Sequence, residues 1–234
     1  YYFAILLFCI YMMLFLVPEI YNFTIGKNTI ERHIETVIGN ETDEMIKAQN
    51  LMTWFENNTL EPYGQKPIVK GLLWGVYNLE EKPRLFIKTN RASWVIHSKL
   101  GNCGEAAWYF VEIMNKTGTY ARVISVSGED HALAEFYTKD GRKQVVDPSR
   151  NTFINNTLER GNGSQWSYLE ATDLEGNKED VTKEYISNLS TLTIQVNDSF
   201  LRKHVQITLN SVYLQSRSKL YESPIQVVSA DFRN

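Results

Sequence analysis

Three regimes of apolar and polar residues follow one another along this chain. The first, Tyr1 to Val17 (YYFAILLFCIYMMLFLV), carries no charge and no glycine, and Pro18 closes it. At about 1.5 Å per helical residue it is near the lower limit for a bilayer span. Tyr1, Tyr2 and Tyr21 stand where interfacial aromatic anchors are expected. The second regime has helical spacing. Ile30, Ile34, Val37 and Ile38 fall on one stripe, with Asn28 as N-cap and Gly39 as stop. A second helix starts near Thr42, where Asp43 and Glu44 suit the positive end, and runs to about Asn57 with Met45, Met52 and Phe55 inward. Glu61-Pro-Tyr-Gly breaks it, and Ile68 to Tyr77 is assigned a third helix, with Pro83 as its boundary. A further helix runs from about Cys103 to Asn115, with Ala106, Ala107, Phe110, Ile113 and Met114 packed against a sheet and Gly118 as stop.

The third regime is strand-like: Ala121 to Ser127, His131 to Thr138 and Arg142 to Asp147. Residues 150–182 are polar and Gly-punctuated and read as a long loop. From Ser190, strands are expected at Leu192–Val196, Val205–Leu214 and Ile225–Ser229. Three strands make a thin unit. It either completes the core sheet or forms a small β module, the start of a truncated immunoglobulin-like sandwich. The expected organisation is an anchor or assembly helix (1–20), an α+β domain with an antiparallel sheet (21–189) and the β module (190–234).

Composition narrows the setting. A formal charge of -3 leaves no basic stripe for phosphate contacts, so no nucleic-acid partner is expected. Eight Asn-x-Ser/Thr sequons occur, at Asn22, Asn40, Asn57, Asn115, Asn155, Asn162, Asn188 and Asn197. Chance would supply about two or three. All lie after the apolar segment, which places the bulk of the chain outside the cell, with residues 1–17 in the cell membrane. A cleaved secretory signal is the plainer alternative, but Phe-Leu-Val-Pro-Glu-Ile offers no small-x-small pattern. Phe8 disfavours lipidation at Cys9. Self-assembly of the apolar segment into a surface filament is a third reading. Cys103 is the only cysteine beyond that segment, so no structural disulfide is expected, and a free thiol in an oxidising compartment calls for a reason.

Catalysis supplies one. Cys103 opens a helix, and His131 and Asp147 follow on two strands. A thiolate is favoured by a helix N-terminus and a neighbouring imidazole, and a carboxylate can hold that imidazole in the useful orientation. Whether the last two meet depends on the loop Lys139-Asp140-Gly141. A two-residue Asp-Gly turn puts them on opposite faces of the sheet. A three-residue loop with Gly141 in the left-handed position pairs Thr138 with Arg142 and Leu133 with Asp147. His131 and Asp147 are then diagonal neighbours about 7 to 8 Å apart at the backbone. Taken singly, each residue has an ordinary structural reading: a buried small hydrophobe, a surface strand end, a turn before proline.

Four segments, Gly101-Asn-Cys-Gly-Glu-Ala-Ala, Gly118-Thr-Tyr-Ala-Arg-Val-Ile, Asp130-His-Ala-Leu-Ala-Glu-Phe-Tyr and Val145-Val-Asp-Pro-Ser, together resemble the core of the transglutaminase-like superfamily. The likeness covers about Ser93 to Phe153. It implies a papain-like α+β fold with Cys103 as nucleophile, His131 as general base and Asp147 as orienting acid. The Gly-x-Cys-Gly-Glu form is also similar to peptide N-glycanases, although their paired Cys-x-x-Cys zinc motifs are absent. Leu133 stands where many relatives carry Trp, and no counterpart of the calcium sites of animal transglutaminases is recognisable.

The expected chemistry is attack on an amide carbonyl, a thioester, then hydrolysis or transfer to an amine. Trp74 or Trp94 could lend an indole N–H to the oxyanion, with core packing the plainer reading for both. Glu105 either binds an amine or suits the helix dipole, and the dipole is the plainer reading. His33, His97 and His204 are read as structural or exposed. No metal-ligand spacing and no cofactor motif is seen. The expected function is a membrane-anchored extracellular cysteine enzyme acting on protein or glycopeptide amides. The alternative is a non-enzymatic cell-surface or filament subunit that uses the same core as a scaffold or binding module.

Overall fold

The computed structural model describes residues 5, 9, 16–62, 64–71, 74–127, 131–154, 168–185, 191–196 and 227–233. Residues 16–21 are helical and run through a π-helical turn, Asn22–Gly26, into α1 (Lys27–Val37). Asn28 is therefore inside a continuous helix and caps nothing. Ile30 and Ile38 are buried, with Ile34 and Val37 packed on the same core. Gly39 ends the helix at φ +60°, and its N–H donates to the Ile34 carbonyl at 2.9 Å. The next helix, α2 (Glu44–Asn58), starts on Asp43, whose carboxylate accepts the N–H groups of Met45 and Ile46.

The helix expected at Ile68 to Tyr77 does not form. The segment belongs to a three-stranded antiparallel sheet of β1 (Pro67–Lys70), β2 (Trp74–Leu79) and β3 (Lys82–Ile87), with β2 in the middle. Its apolar positions are too dense to define a period, and its β-branched and aromatic residues suit a pleated surface. Glu80 and Glu81 make the two-residue turn, both at positive φ (49° and 61°). That conformation usually calls on Asn or Gly, so the turn carries no recognisable signature. Pro83 lies on the edge strand β3, where no ladder hydrogen bond is lost.

α3 (Ala92–Ser98) and α4 (Cys103–Lys116) precede a six-stranded antiparallel sheet. Its strands are β4 (Ala121–Ser127), β5 (His131–Tyr137), β6 (Lys143–Asp147), β7 (Thr152–Ile154), β8 (Tyr168–Thr172) and β9 (Lys178–Asp180), in the order β7-β6-β5-β4-β8-β9. The stretch expected to be a loop thus supplies three strands. Leu169 and Ala171 point inward around Glu170, an alternation too short to stand out between polar flanks. Ala121, Val123, Ala134, Phe136 and Val146 face the helical layer. Ile124, Leu133, Val145, Leu169 and Ala171 form a second core with Val181 and Tyr185, the latter ending α5 (Thr182–Tyr185). β10 (Thr191–Val196) and β11 (Val227–Arg233) pair antiparallel as a sheet of their own and do not extend the six-stranded one. The expected strand at 205–214 lies outside the described residues.

Among the described residues no helix is long and apolar enough to cross a membrane. Most of the apolar segment 1–17 lies outside them, so the expected transmembrane helix has no support from the fold.

His33 lies buried between α1 and the core, with its Nε2 2.7 Å from the Tyr109 hydroxyl and its ring edge-on to Trp54. Burial, with a smaller contribution from the Lys99 cation, lowers its pKa to about 4. The folded chain therefore refuses a proton that the unfolded chain accepts below its ordinary value of 6.5. Stability is expected to fall by up to about 3 kcal/mol as pH drops through that window. Urea denaturation across the range should show this limb, and His33→Gln, which keeps an acceptor for Tyr109 without titrating, should flatten it.

Candidate active site

Cys103 is the first residue of α4 and is partly buried. A reciprocal capping box fixes the turn: Asn102 accepts the N–H of Glu105, and Glu105 accepts the N–H of Asn102 at 3.1 Å. The other Glu105 oxygen accepts the Thr89 N–H at 3.2 Å and ties the loop after β3 to the start of α4. Burial raises the Glu105 pKa, against the hydrogen bonds from these backbone groups. Both oxygens are thus committed to the backbone, which accords with the capping reading of Glu105 rather than amine binding. The Asn-x-x-Glu spacing was a legible signal for this cap.

The loop between β5 and β6 has three residues. The Thr138 N–H donates to the Arg142 carbonyl at 2.9 Å, the Gly141 N–H donates to the Thr138 carbonyl at 2.8 Å, and Gly141 has φ +80°. Tyr137 pairs with Lys143 and Ala134 with Val146, a register that carries Leu133 opposite Asp147. His131 and Asp147 are then diagonal neighbours. His131 Nε2 lies 2.8 Å from Asp147 Oδ2.

With Nε2 engaged, Nδ1 is the ring nitrogen left for the Cys103 thiol, which also hydrogen-bonds His131. The hydrogen bond to Asp147, then that to Cys103, raises the His131 pKa from 6.5 to about 9 against the opposing effect of burial. The imidazole therefore carries a proton at neutral pH. Burial works against the Asp147 carboxylate, but hydrogen bonds from His131 and Ser149 outweigh it and hold its pKa below the ordinary value. Ser149 donates twice to Oδ1, from Oγ at 2.6 Å and from its N–H at 3.1 Å, so Oδ2 is left to face the ring. Sequence reasoning passed over Ser149, although Asp-x-Ser is the spacing of a local turn in which the carboxylate takes the later N–H.

The structure thus brings Cys103, His131 and Asp147 together. It gives the two tryptophans other surroundings. Trp94, on α3, packs edge-on to Tyr21 at 5.6 Å and against His97 at 5.4 Å. The Trp74 indole nitrogen is buried without a hydrogen-bond partner among the described residues, and a Cβ on Gly71 would stand 2.7 Å from it. Among the described residues no group of three or more His, Cys, Asp or Glu is placed to hold a metal ion. Of the sequons, Asn40 and Asn57 are exposed. Asn22 accepts from the Ser93 hydroxyl at 2.8 Å. Asn115 is a poor acceptor for a glycan, because its Nδ2 donates to the carbonyls of both Val111 and Ala121, at 2.8 and 2.9 Å. Asn155, Asn162, Asn188, Asn197 and His204 lie outside the described residues.

The family model described as the transglutaminase-like superfamily matches residues 32–148, half of the chain and all three of these side chains. The chain belongs to the transglutaminase-like superfamily. That superfamily consists mostly of cysteine enzymes, and this transglutaminase-like chain has its cysteine at the start of the helix that packs on the sheet. No curated protein matches the chain by sequence. Among solved structures, that of Rad4-Rad23 bound to a 6-4 photoproduct UV lesion is similar at 15% identity with a TM-score of 0.45. The match covers 76% of this transglutaminase-like chain and 47% of that one, so the chain spans about half the length of its structural relative.

The His131 value can be read by NMR titration of the ring. It should lie near 9 in the wild type, and Asp147→Ala should move it down toward 6.5, because the largest raising interaction is gone while burial still lowers it. The same shift sets a stability limb with the opposite sense to that of His33. The contribution of His131 is full below 6.5 and is lost as pH rises through about 9.

Proposed function

We propose that the chain is a cysteine enzyme that acts on amide bonds of proteins or glycopeptides through a thioester. The observation that carries this reading is the hydrogen-bonded line from Cys103 through His131 to Asp147, whose hydrogen bonds raise the pKa of the imidazole. A thiolate beside an imidazolium at a helix start is the arrangement that nucleophilic thiols use.

In this reading the Cys103 sulfur attacks the amide carbon, and backbone N–H groups at the start of α4 stabilise the oxyanion. The C–N bond then breaks, and the departing amine takes its proton from His131. A thioester on Cys103 remains. The neutral imidazole next removes a proton from water or from an incoming amine. Attack on the thioester releases the acyl group and restores the thiolate–imidazolium pair. Asp147 keeps the ring in line throughout and stabilises its charged form.

The apolar run 1–17 and the excess of sequons support attachment to the membrane with the bulk of the chain outside. The β10–β11 pair is read as part of a small C-terminal β module.

The wild type and Cys103→Ala should be compared for ammonia release and amine incorporation on a glutamine-rich protein, with iodoacetamide labelling of Cys103 in parallel. At least one of the two activities should be present in the wild type and absent from the variant, and hydrolysis without amine incorporation would assign the acceptor as water. Equal activity in the variant, or a wild type that is inactive and does not label, would sink the enzyme reading in favour of a scaffold.

A further inference from the structure

Asp147 ends β6 and pairs with Thr152 at the start of β7, so residues 148–151 form the turn of a hairpin whose first strand ends on the carboxylate that faces His131. Inside the hairpin, the Arg150 N–H donates to the Asp147 carbonyl at 3.2 Å, and the Thr152 hydroxyl donates to the Arg150 carbonyl at 2.9 Å. These bonds shape the turn but tie it to nothing else. Among the described residues, the hydrogen bonds that join the turn to a helix are those of Asn151.

The Asn151 side chain lies across α2. Its Oδ1 accepts from Gln49 Nε2 at 2.8 Å, and its Nδ2 donates to Glu56 Oε2 at 2.7 Å. Gln49 and Glu56 stand about two helical turns apart on one face. Gln49 is itself held by a bond to Thr53 Oγ1 at 3.1 Å. The backbone at Asn151 is left-handed, with φ +49°, a conformation that asparagine tolerates better than most residues with a Cβ. Glycine would serve that backbone as well, so what the asparagine adds is an amide that donates on one side and accepts on the other.

α2 also packs on the helix that carries the thiol. Trp54 stacks on Tyr109 of α4 with ring centroids 5.2 Å apart, and Phe55 lies 5.7 Å from the same ring. Cys103 and Asp147 are thus located through a common element, one by the packing of α4 on α2 and the other by the turn that Asn151 ties to α2. The tie matters because two groups address the same carboxylate oxygen. His131 Nε2 is 2.8 Å from Asp147 Oδ2, and Arg150 Nε, from a largely exposed side chain in the same turn, is 3.7 Å from it. A guanidinium free to close that gap would compete with the ring for Oδ2.

We propose that Asn151 is a positioning residue for this site: it clamps the β6–β7 turn to α2, which holds the Asp147 carboxylate on His131 and the Arg150 guanidinium off it. The inference rests on the amide-directed reading above, but its first readout needs no turnover. The His131 pKa by NMR titration, and kcat/KM for ammonia release from a glutamine-rich protein, are to be measured in the full chain for the wild type, Asn151→Gly, Asn151→Asp, and Asn151→Asp combined with Glu56→Gln. Asn151→Gly keeps the left-handed backbone and loses both bonds. Its His131 pKa should fall from about 9 toward 6.5, a loss of about tenfold in proton affinity, with a similar loss in kcat/KM. Asn151→Asp sets two carboxylates against each other and should also lower the pKa, although an added negative charge alone would raise it. With Glu56→Gln added, the new carboxylate can accept from both helix amides, and the pKa and kcat/KM should return to the wild-type values. A merely structural contact would lower the thermal midpoint and leave the His131 pKa where it is. An unchanged pKa in Asn151→Gly, or no recovery in the double variant, would overturn the positioning role. The expected pKa pattern in a chain whose wild type shows no amide turnover would uphold that role and overturn the enzyme reading.

Discussion

The burial of α4 against β4 and β5 is the constraint on which the other features depend. Ala106 and Ala107 let the helix approach the sheet closely, and Tyr109, Phe110, Val111, Ile113 and Met114 are fully buried around it. Each large side chain removed from water contributes about 1.5–3 kcal/mol, so no other orientation of this helix competes. Because the axis is fixed, so is the place of its first residue. Cys103 is held beside the end of β5 by packing several turns away, and the capping box of Asn102 and Glu105 stops the first turn from fraying. Without that, the thiol and His131 would share a neighbourhood but no geometry.

Polar groups inside the fold are committed with similar economy. Arg122 reaches the fully buried Glu135, which also accepts from the Tyr185 hydroxyl, and meets Glu179 at 2.5 Å. This cluster joins β4, β5, β9 and α5 on the side of the sheet away from α4. A buried ion pair is weak evidence for net stability, since desolvation opposes it. Its effect here is geometric: removing one partner would leave the other charged and unpaired, so the strands are held in one arrangement. The same logic applies at Asp147, where Ser149 occupies one carboxylate oxygen and directs the other at the imidazole.

Two histidines in one domain show how burial and partners set opposite protonation states. His33 has a neutral hydroxyl as its partner, and burial drives it to about 4. His131 has a carboxylate and a thiol, and their hydrogen bonds raise it to about 9 although burial acts against them. The sequence around neither residue foretells this. What separates them is that one is aimed at charge and the other at a neutral aromatic core.

Local patterns were enough for much of the chain. The stripe from Ile30 to Ile38, the start of α2 at Asp43, the span of α4 and the three strands after it follow from periodicity and caps, and the left-handed preference of Gly141 selects the loop that aligns β5 with β6. The candidate site was legible because its three residues lie on those elements. The segment from Ile68 to Tyr77 and the strands β7 to β9 were not legible, since short strands gain stability from the neighbours they pair with rather than from their own sequence. Asn28 failed as a cap because the helix was already running when the chain reached it, a condition set upstream. By itself, then, the sequence determined on which kind of element Cys103, His131 and Asp147 each lie. The tertiary structure alone decided that β8 and β9 extend the sheet beyond β4, that the partners of His131 raise its pKa, and that Ser149 leaves one Asp147 oxygen to face the imidazole. Each of these depends on groups far apart in sequence whose distance and dielectric surroundings exist only after the chain has packed.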